Sequence, residues 1–177
     1  MKNINQYISE KLRISRNSQI KEIKVIDSLE DLKKEIKNRM ITNSKTHLDL
    51  SYITLTENVT SLEMLFYNKS DIKSIDVSDW DTSNVQKMNE MFYGCNELEE
   101  VIGLDTWNTA NCQSFRKMFT DCYKLNTISI EKWNIQSLRD ATYMFKNCEN
   151  LYLDLRDWNL SNVKDTLFNK NSKVIIQ

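Results

Sequence analysis

Four tryptophans, Trp80, Trp107, Trp133 and Trp158, return at steps of 27, 26 and 25 residues. They do not return alone. A Met-Phe pair follows three of them, at Met91-Phe92, Met118-Phe119 and Met144-Phe145, and a cysteine follows each pair, at Cys95, Cys122 and Cys148. A catalytic pocket is built once, whereas a set of residues repeated every 26 or so positions is architecture. With each Trp as a ruler, apolar residues fall five and three positions before it: Ile75 and Val77, Ile102 and Leu104, Ile128 and Ile130, Leu153 and Leu155. Period-two alternation of this kind predicts a short strand with one buried face. After the Trp, the spacing of Val85, Met88, Met91, Phe92 and Cys95 predicts one face of a short helix. Each unit therefore reads as strand, corner, helix and return. One unit cannot bury its own apolar side, but stacked units can.

The period governs residues 48–177, which read as one array, and leaves residues 1–47 outside it. In that first segment Ile4, Tyr7, Ile8 and Leu12 share a helical face. "IKEIKVID" predicts a strand. Ser28 with Asp31 predicts a capped helix start, with Leu29, Leu32, Ile36 and Met40 along one side. Residues 1–47 are thus expected to form an α/β unit that caps the array. The far end, "KVIIQ", is expected to close it as a last strand.

Composition limits how the chain can turn. Pro is absent and Gly occurs only at Gly94 and Gly103, so corners must come from Asn, Asp and Ser. Asn84, Asn96, Asn108, Asn134, Asn150 and Asn159 stand at the expected corners. Residues 1–47 hold 11 Lys and Arg against 6 Asp and Glu, and residues 48–177 hold 13 against 19. A basic cap therefore meets an acidic array. There is no basic stripe with interleaved aromatics, which argues against nucleic-acid binding. No apolar run nears the roughly 20 residues of a membrane span, so no membrane insertion is expected. The N-terminus lacks the apolar core of a secretory signal, so the expected location is cytoplasmic or virion-associated, with the cell surface requiring a removed leader.

The segment "IDVSDWDTSNVQKMNEMFYGCNEL", residues 75–98, resembles the repeat of BspA-like leucine-rich-repeat proteins, also met in mycoplasma surface lipoproteins. It carries that repeat's strand, its Trp-Asp-Thr-Ser-Asn-Val and its Met-Phe-x-x-Cys. Residues 102–125, 128–151 and 153–168 match it with decay, and residues 48–72 in outline. The resemblance implies interaction or adhesion rather than catalysis. With the periodicity, it leads to the expectation of an α/β solenoid: a leucine-rich-repeat-like array of about five strand–helix coils, a parallel sheet on one side and an N-terminal cap. The opening "MKNINQYISEKLRISRNSQI" is similar to openings of proteins from tailed phages of gut Bacteroidetes.

The repeated residues invite sharper readings. Stacked tryptophans can bind sugars or bases, but their fixed phase assigns Trp80, Trp107, Trp133 and Trp158 to a core ladder with Met91, Phe92, Met118, Phe119, Met144, Phe145, Cys95, Cys122 and Cys148. The cysteines lack Cys-x-x-Cys spacing and clustered His, so buried thiols are expected rather than zinc or disulfides. Cys112 stands at the Val85 position as a small apolar residue. The single histidine, His47, marks the boundary of cap and array. Asp49, Asp76, Asp79, Asp105, Asp154 and Asp157 crowd the strand side, but the Gly-rich calcium-binding repeat is missing, so they read as solubilising charge. No Gly-rich phosphate loop is possible. The chain is therefore expected to have no catalytic residue, cofactor or metal.

The expected function is recognition of a protein through the exposed strand face. The residues between the buried ones are the candidates: Ser74, Asp76, Ser78, Asp105, Thr127, Ser129, Glu131, Tyr152, Asp154 and Arg156, together with Gly103. The alternative is a structural or assembly protein, phage-encoded and virion-associated, for which oligomers are expected. An enzyme is the minor alternative.

Overall fold

The computed structural model describes residues 23–42, 46–163 and 173–175. The expected helix through Ile4, Tyr7, Ile8 and Leu12 lies outside the described residues. Strand β1 (Lys24–Ile26) is followed by helix α1 (Leu29–Thr42) and by strands β2 (His47–Asp49) and β3 (Ile53–Leu55). Helix α1 starts where the Ser28 hydroxyl oxygen accepts the Asp31 N–H at 3.1 Å, with Glu30 and Asp31 in its first turn facing the positive end of the helix dipole. Its Leu32 and Ile36 enter the core, and Leu29 and Met40 pack at its margin.

From β2 onward, successive repeats lie side by side in parallel. Strand β2 pairs with β4 (Ser74–Asp76), and β4 with β5 (Glu100–Ile102). A single bridge, Glu100 to Thr127, carries the ladder on. Strand β6 (Tyr152–Asp154) pairs in parallel with β7 (Lys173–Ile175), and β1 pairs with β3. A second line of bridges joins Ser61, Lys87, Ser114 and Asp140.

The expected solenoid of about five strand–helix coils is not what the chain forms. The described residues contain one α-helix, α1, and a three-residue 3-10 helix at Leu104–Thr106. The strands are three residues long and fall into separate two-, three- and two-stranded sheets. The segments read as helices are successive turns. Their even-spaced amides donate to the next repeat: Met88 to Ser114, Glu90 to Arg116, Phe92 to Met118 and Gly94 to Thr120, at 2.9–3.0 Å. The amides between them close tight turns: Met91 to Met88, Tyr93 to Glu90 and Cys95 to Phe92. An α-helix needs every amide for the carbonyl four residues back, so this pairing excludes it. Left-handed residues every four positions enforce the turns, with φ of 55° at Glu90 and 70° at Gly94.

Stacking of like residues fills the interior. Phe66, Phe92, Phe119 and Phe145 stack with centroids 5.3, 5.1 and 5.8 Å apart. Trp80, Trp107, Trp133 and Trp158 stack at 6.2, 6.0 and 6.5 Å. Burying one such ring removes about 150–250 Å² from water, roughly 4–6 kcal/mol as an upper bound. The indole N–H groups cannot stay unpaired inside. Each donates to a carbonyl of the preceding repeat: Trp80 to Leu50, Trp107 to Val77, Trp133 to Leu104 and Trp158 to Glu131. Buried Thr82 and Thr109 bond the other way, their hydroxyls donating to the carbonyls of Asn108 and Asn134 in the following repeat.

Corners without Pro use side chains in place of backbone. Asp81, Asn108, Asn134 and Asn159 each accept the N–H two residues on, just after the Trp, at 3.0–3.2 Å. Asp49, Asp76 and Asp154 do the same after their strands. These Asx turns let an L-residue make a turn that otherwise calls for glycine.

Candidate functional site

The outward positions of the strands form rows across the repeats. His47, Ser74, Glu100 and Thr127 stand in register, as do Asp49, Asp76 and Ile102. The His47 Nδ1 and Ser74 Oγ lie 2.7 Å apart across two strands, on the solvent side of the sheet. This serine–histidine contact joins two rungs of the ladder.

Of the residues expected to face a partner, Asp105, Thr127, Ser129, Glu131, Tyr152 and Arg156 are exposed, and Ser74, Asp76, Ser78 and Asp154 are partly buried. Ser74 and Asp76 lie together on the β2–β4–β5 sheet, and Ser78 follows it. Tyr152 and Asp154 lie on the separate β6–β7 sheet. Asp76 is committed to its own corner, where it accepts both the N–H and the hydroxyl of Ser78. Arg156 clamps Asp154, with Nε on Oδ1 at 3.0 Å and Nη2 on Oδ2 at 2.6 Å. Hydrogen bonding by Arg156 holds the Asp154 carboxyl below the usual carboxylate range and raises the guanidinium in turn. The two charges there form a mutually neutralised pair.

The alternation fails at one repeat. Strict alternation puts Ile102 inside and Gly103 outside; the structure reverses both. Val101 is 6% exposed and Ile102 is 45% exposed, because Ile75 pairs with Val101. The 27-residue step from Trp80 to Trp107 holds one extra residue, absorbed at Gly103 (φ 93°) and the 3-10 turn after it. Gly103 is buried against Ser78. Glu100 and Ile102 thus join the outward face. The longer Trp step was the one sign of this in the sequence.

The inward residues are dry. All four Trp, the Met-Phe pairs and Cys95, Cys122 and Cys148 are at most 5% exposed. The cysteines are free thiols. Among the described residues no group of three or more His, Cys, Asp or Glu is placed to hold a metal ion. No helix among them is long and apolar enough to cross a membrane.

Residues 56–174, more than half of the chain, match the family model described as "Mycoplasma protein of unknown function, DUF285". The chain belongs to the DUF285 family. The matched span begins just after β3 and includes every stacked Phe and Trp of this DUF285 chain, so the family pattern coincides with the stacked part. No curated protein and no solved structure matches the chain.

Proposed function

We propose that this DUF285 chain is a non-catalytic recognition module that binds a protein through the outward face of its parallel strands. One observation carries the reading. Large side chains stand in solvent on the outward sides of these strands, Ile102 at 45% exposure beside Asp76 on one sheet and Tyr152 at 63% beside the Asp154–Arg156 pair on another. Aromatic and aliphatic anchors with a polar surround are what a protein contact uses. The outward positions also differ from repeat to repeat, while the inward ones repeat Trp, Phe and Cys. The likeness of residues 75–98 to BspA-like repeats supports the same reading, since those proteins serve in interaction and adhesion.

Affinity capture with the full chain and with an Ile102→Ser, Tyr152→Ala variant tests it. Both changes are on the surface and should leave the melting temperature in place. The expected result is a bound protein that the variant fails to hold. Equal capture by both forms would remove the strand face from consideration.

The assembly reading draws on a different observation. Among the described residues β7 pairs only with β6, and its Ile175 is 39% exposed. An open parallel edge is a template for another copy, and the phage-like opening of the chain fits a virion component. Sedimentation over a hundredfold concentration range separates the two readings, because assembly requires ordered oligomers to appear.

A further inference from the structure

The turns after the phenylalanine ladder enclose an open groove of about 500 Å³. Its lining includes Tyr67, Asn68, Tyr93, Gly94, Asp121 and Tyr123. The groove has a structural origin. Asn68, Gly94, Asp121 and Asn147 occupy the same left-handed position in successive repeats, with φ of 56°, 70°, 63° and 62°. Three of them carry polar side chains and Gly94 carries none. A Cβ on Gly94 would lie 2.2 Å from the Asn68 Oδ1, so the Asn68 amide occupies the space that a side chain there would take.

Asp121 lines the same groove. Its Oδ1 accepts Asn147 Nδ2 at 2.6 Å and faces the Tyr123 hydroxyl at 3.5 Å. Its charge raises the pKa of both Tyr93 and Tyr123, which line the same groove. Tyr67 and Tyr93 stack at 5.0 Å. Tyr123 is 42% exposed.

We propose that this groove is a binding subsite for a neutral saccharide, with Asp121 accepting from sugar hydroxyls, Asn68 and the phenols completing the hydrogen bonds, and Tyr123 packing against the sugar's C–H face. A carboxylate offers about four acceptor positions, so ligand hydroxyls can join or displace the phenols. Asp121 is the one charged group among the residues lining the groove and repels anions at its centre, while the Lys117 ammonium lies outside the lining, 5.9 Å from the Tyr93 ring centroid. The lining is too polar to favour a purely apolar guest. The site uses none of the strand-face residues, so either proposal can fail without the other.

The test titrates the full chain with maltotetraose, cellotetraose, laminaritetraose, mannotetraose and chitotetraose, read by calorimetry and by amide chemical shifts. At least one should bind with a Kd below about 1 mM, with shifts at Tyr93, Gly94 and Tyr123. Tyr123→Ala alters an exposed ring, and Asp121→Asn keeps a residue type that tolerates the left-handed backbone. Each should weaken binding about tenfold or more, with the melting temperature unchanged. The proposal is overturned if no tetrasaccharide binds at 1 mM, if both variants bind as the parent does, or if a sulfated oligosaccharide binds more tightly than every neutral one.

Discussion

The Cys122 thiol donates to the Phe92 carbonyl at 3.1 Å, across 30 residues of sequence. Cys95 makes the same contact to Phe66 at 3.1 Å, and Cys148 to Phe119 at 2.9 Å. The thiol column is thus a hydrogen-bonded element of the interior, tying each turn to the one before. All four cysteines have zero exposure, and burial pushes the thiols of Cys95, Cys112 and Cys148 up to about 12. The thiolate is the reactive form. Ellman's reagent at neutral pH should therefore label none of the four in the folded chain and all of them in denaturant. Rapid labelling of any one in the native protein would contradict this packing.

The same thiols make stability depend on alkaline pH. Their folded pKa values lie above the ordinary value of 9.0, and burial raises Cys122 well above it too. The folded state therefore keeps its protons where the unfolded chain loses them. The stabilisation is fully present below pH 9 and is lost as pH rises from there toward about 12. In that window each thiol lowers stability by up to roughly 1.4 kcal/mol per pH unit. Urea melts at stepped pH should show a decline steeper than one thiol can produce. Replacing Cys112 by Val, an apolar residue already found at the matching Val85, should make the decline shallower.

Trp133 has the most complete surroundings of the ladder. It lies 6.0 Å from Trp107, 6.5 Å from Trp158 and 5.0 Å from Phe115, and its indole donates to the Leu104 carbonyl at 2.8 Å. Trp133→Ala should cost about 3–5 kcal/mol in urea unfolding. Trp133→Phe keeps a ring in the stack but loses the hydrogen bond and part of the volume, so its cost should fall between parent and Ala. A Phe variant no better than Ala would mean that stacking contributes nothing beyond the indole N–H.

The sequence made the repeat legible because stacking requires the same residue type at every level: Trp on Trp, Phe on Phe. Helix α1 was legible from the Ser28 cap and the spacing of Leu32 and Ile36, which are both buried. The path between the stacked residues was not. Apolar residues three and four apart fit an α-helix, but they fit equally a chain that makes a tight turn every four residues and sends alternate amides to its neighbour. What separates the two is the left-handed backbone at Met64, Glu90, Lys117 and Tyr143, residue types that do not announce it. The companion column of Asn68, Gly94, Asp121 and Asn147 was the available signal, since Asn, Asp and Gly tolerate that conformation. For the outward face, alternation places Asp76 and Asp154 correctly on their short strands but misses Ile102, where one inserted residue shifts the phase. The groove lies in the turns, where Tyr67 and Tyr93 hold the same place in successive repeats.

The two glycines separate two kinds of constraint. Both have positive φ, 70° at Gly94 and 93° at Gly103, so alanine at either position pays a backbone cost of about 1–2 kcal/mol. Their surroundings differ. A Cβ at Gly94 meets the Asn68 Oδ1, the end of a side chain that can swing aside. A Cβ at Gly103 would lie 2.2 Å from the Ser78 Cα and 2.5 Å from its backbone nitrogen, which are held by the neighbouring repeat. The Gly103 change should therefore add an overpacking cost of about 1–3 kcal/mol. Equilibrium urea unfolding should rank Gly103→Ala well below Gly94→Ala in stability, and Asn68→Ala should partly rescue Gly94→Ala while leaving Gly103→Ala unchanged. Equal losses at the two glycines would show that the backbone conformation alone sets the cost, and that the close approach of Gly103 to Ser78 does not hold in solution.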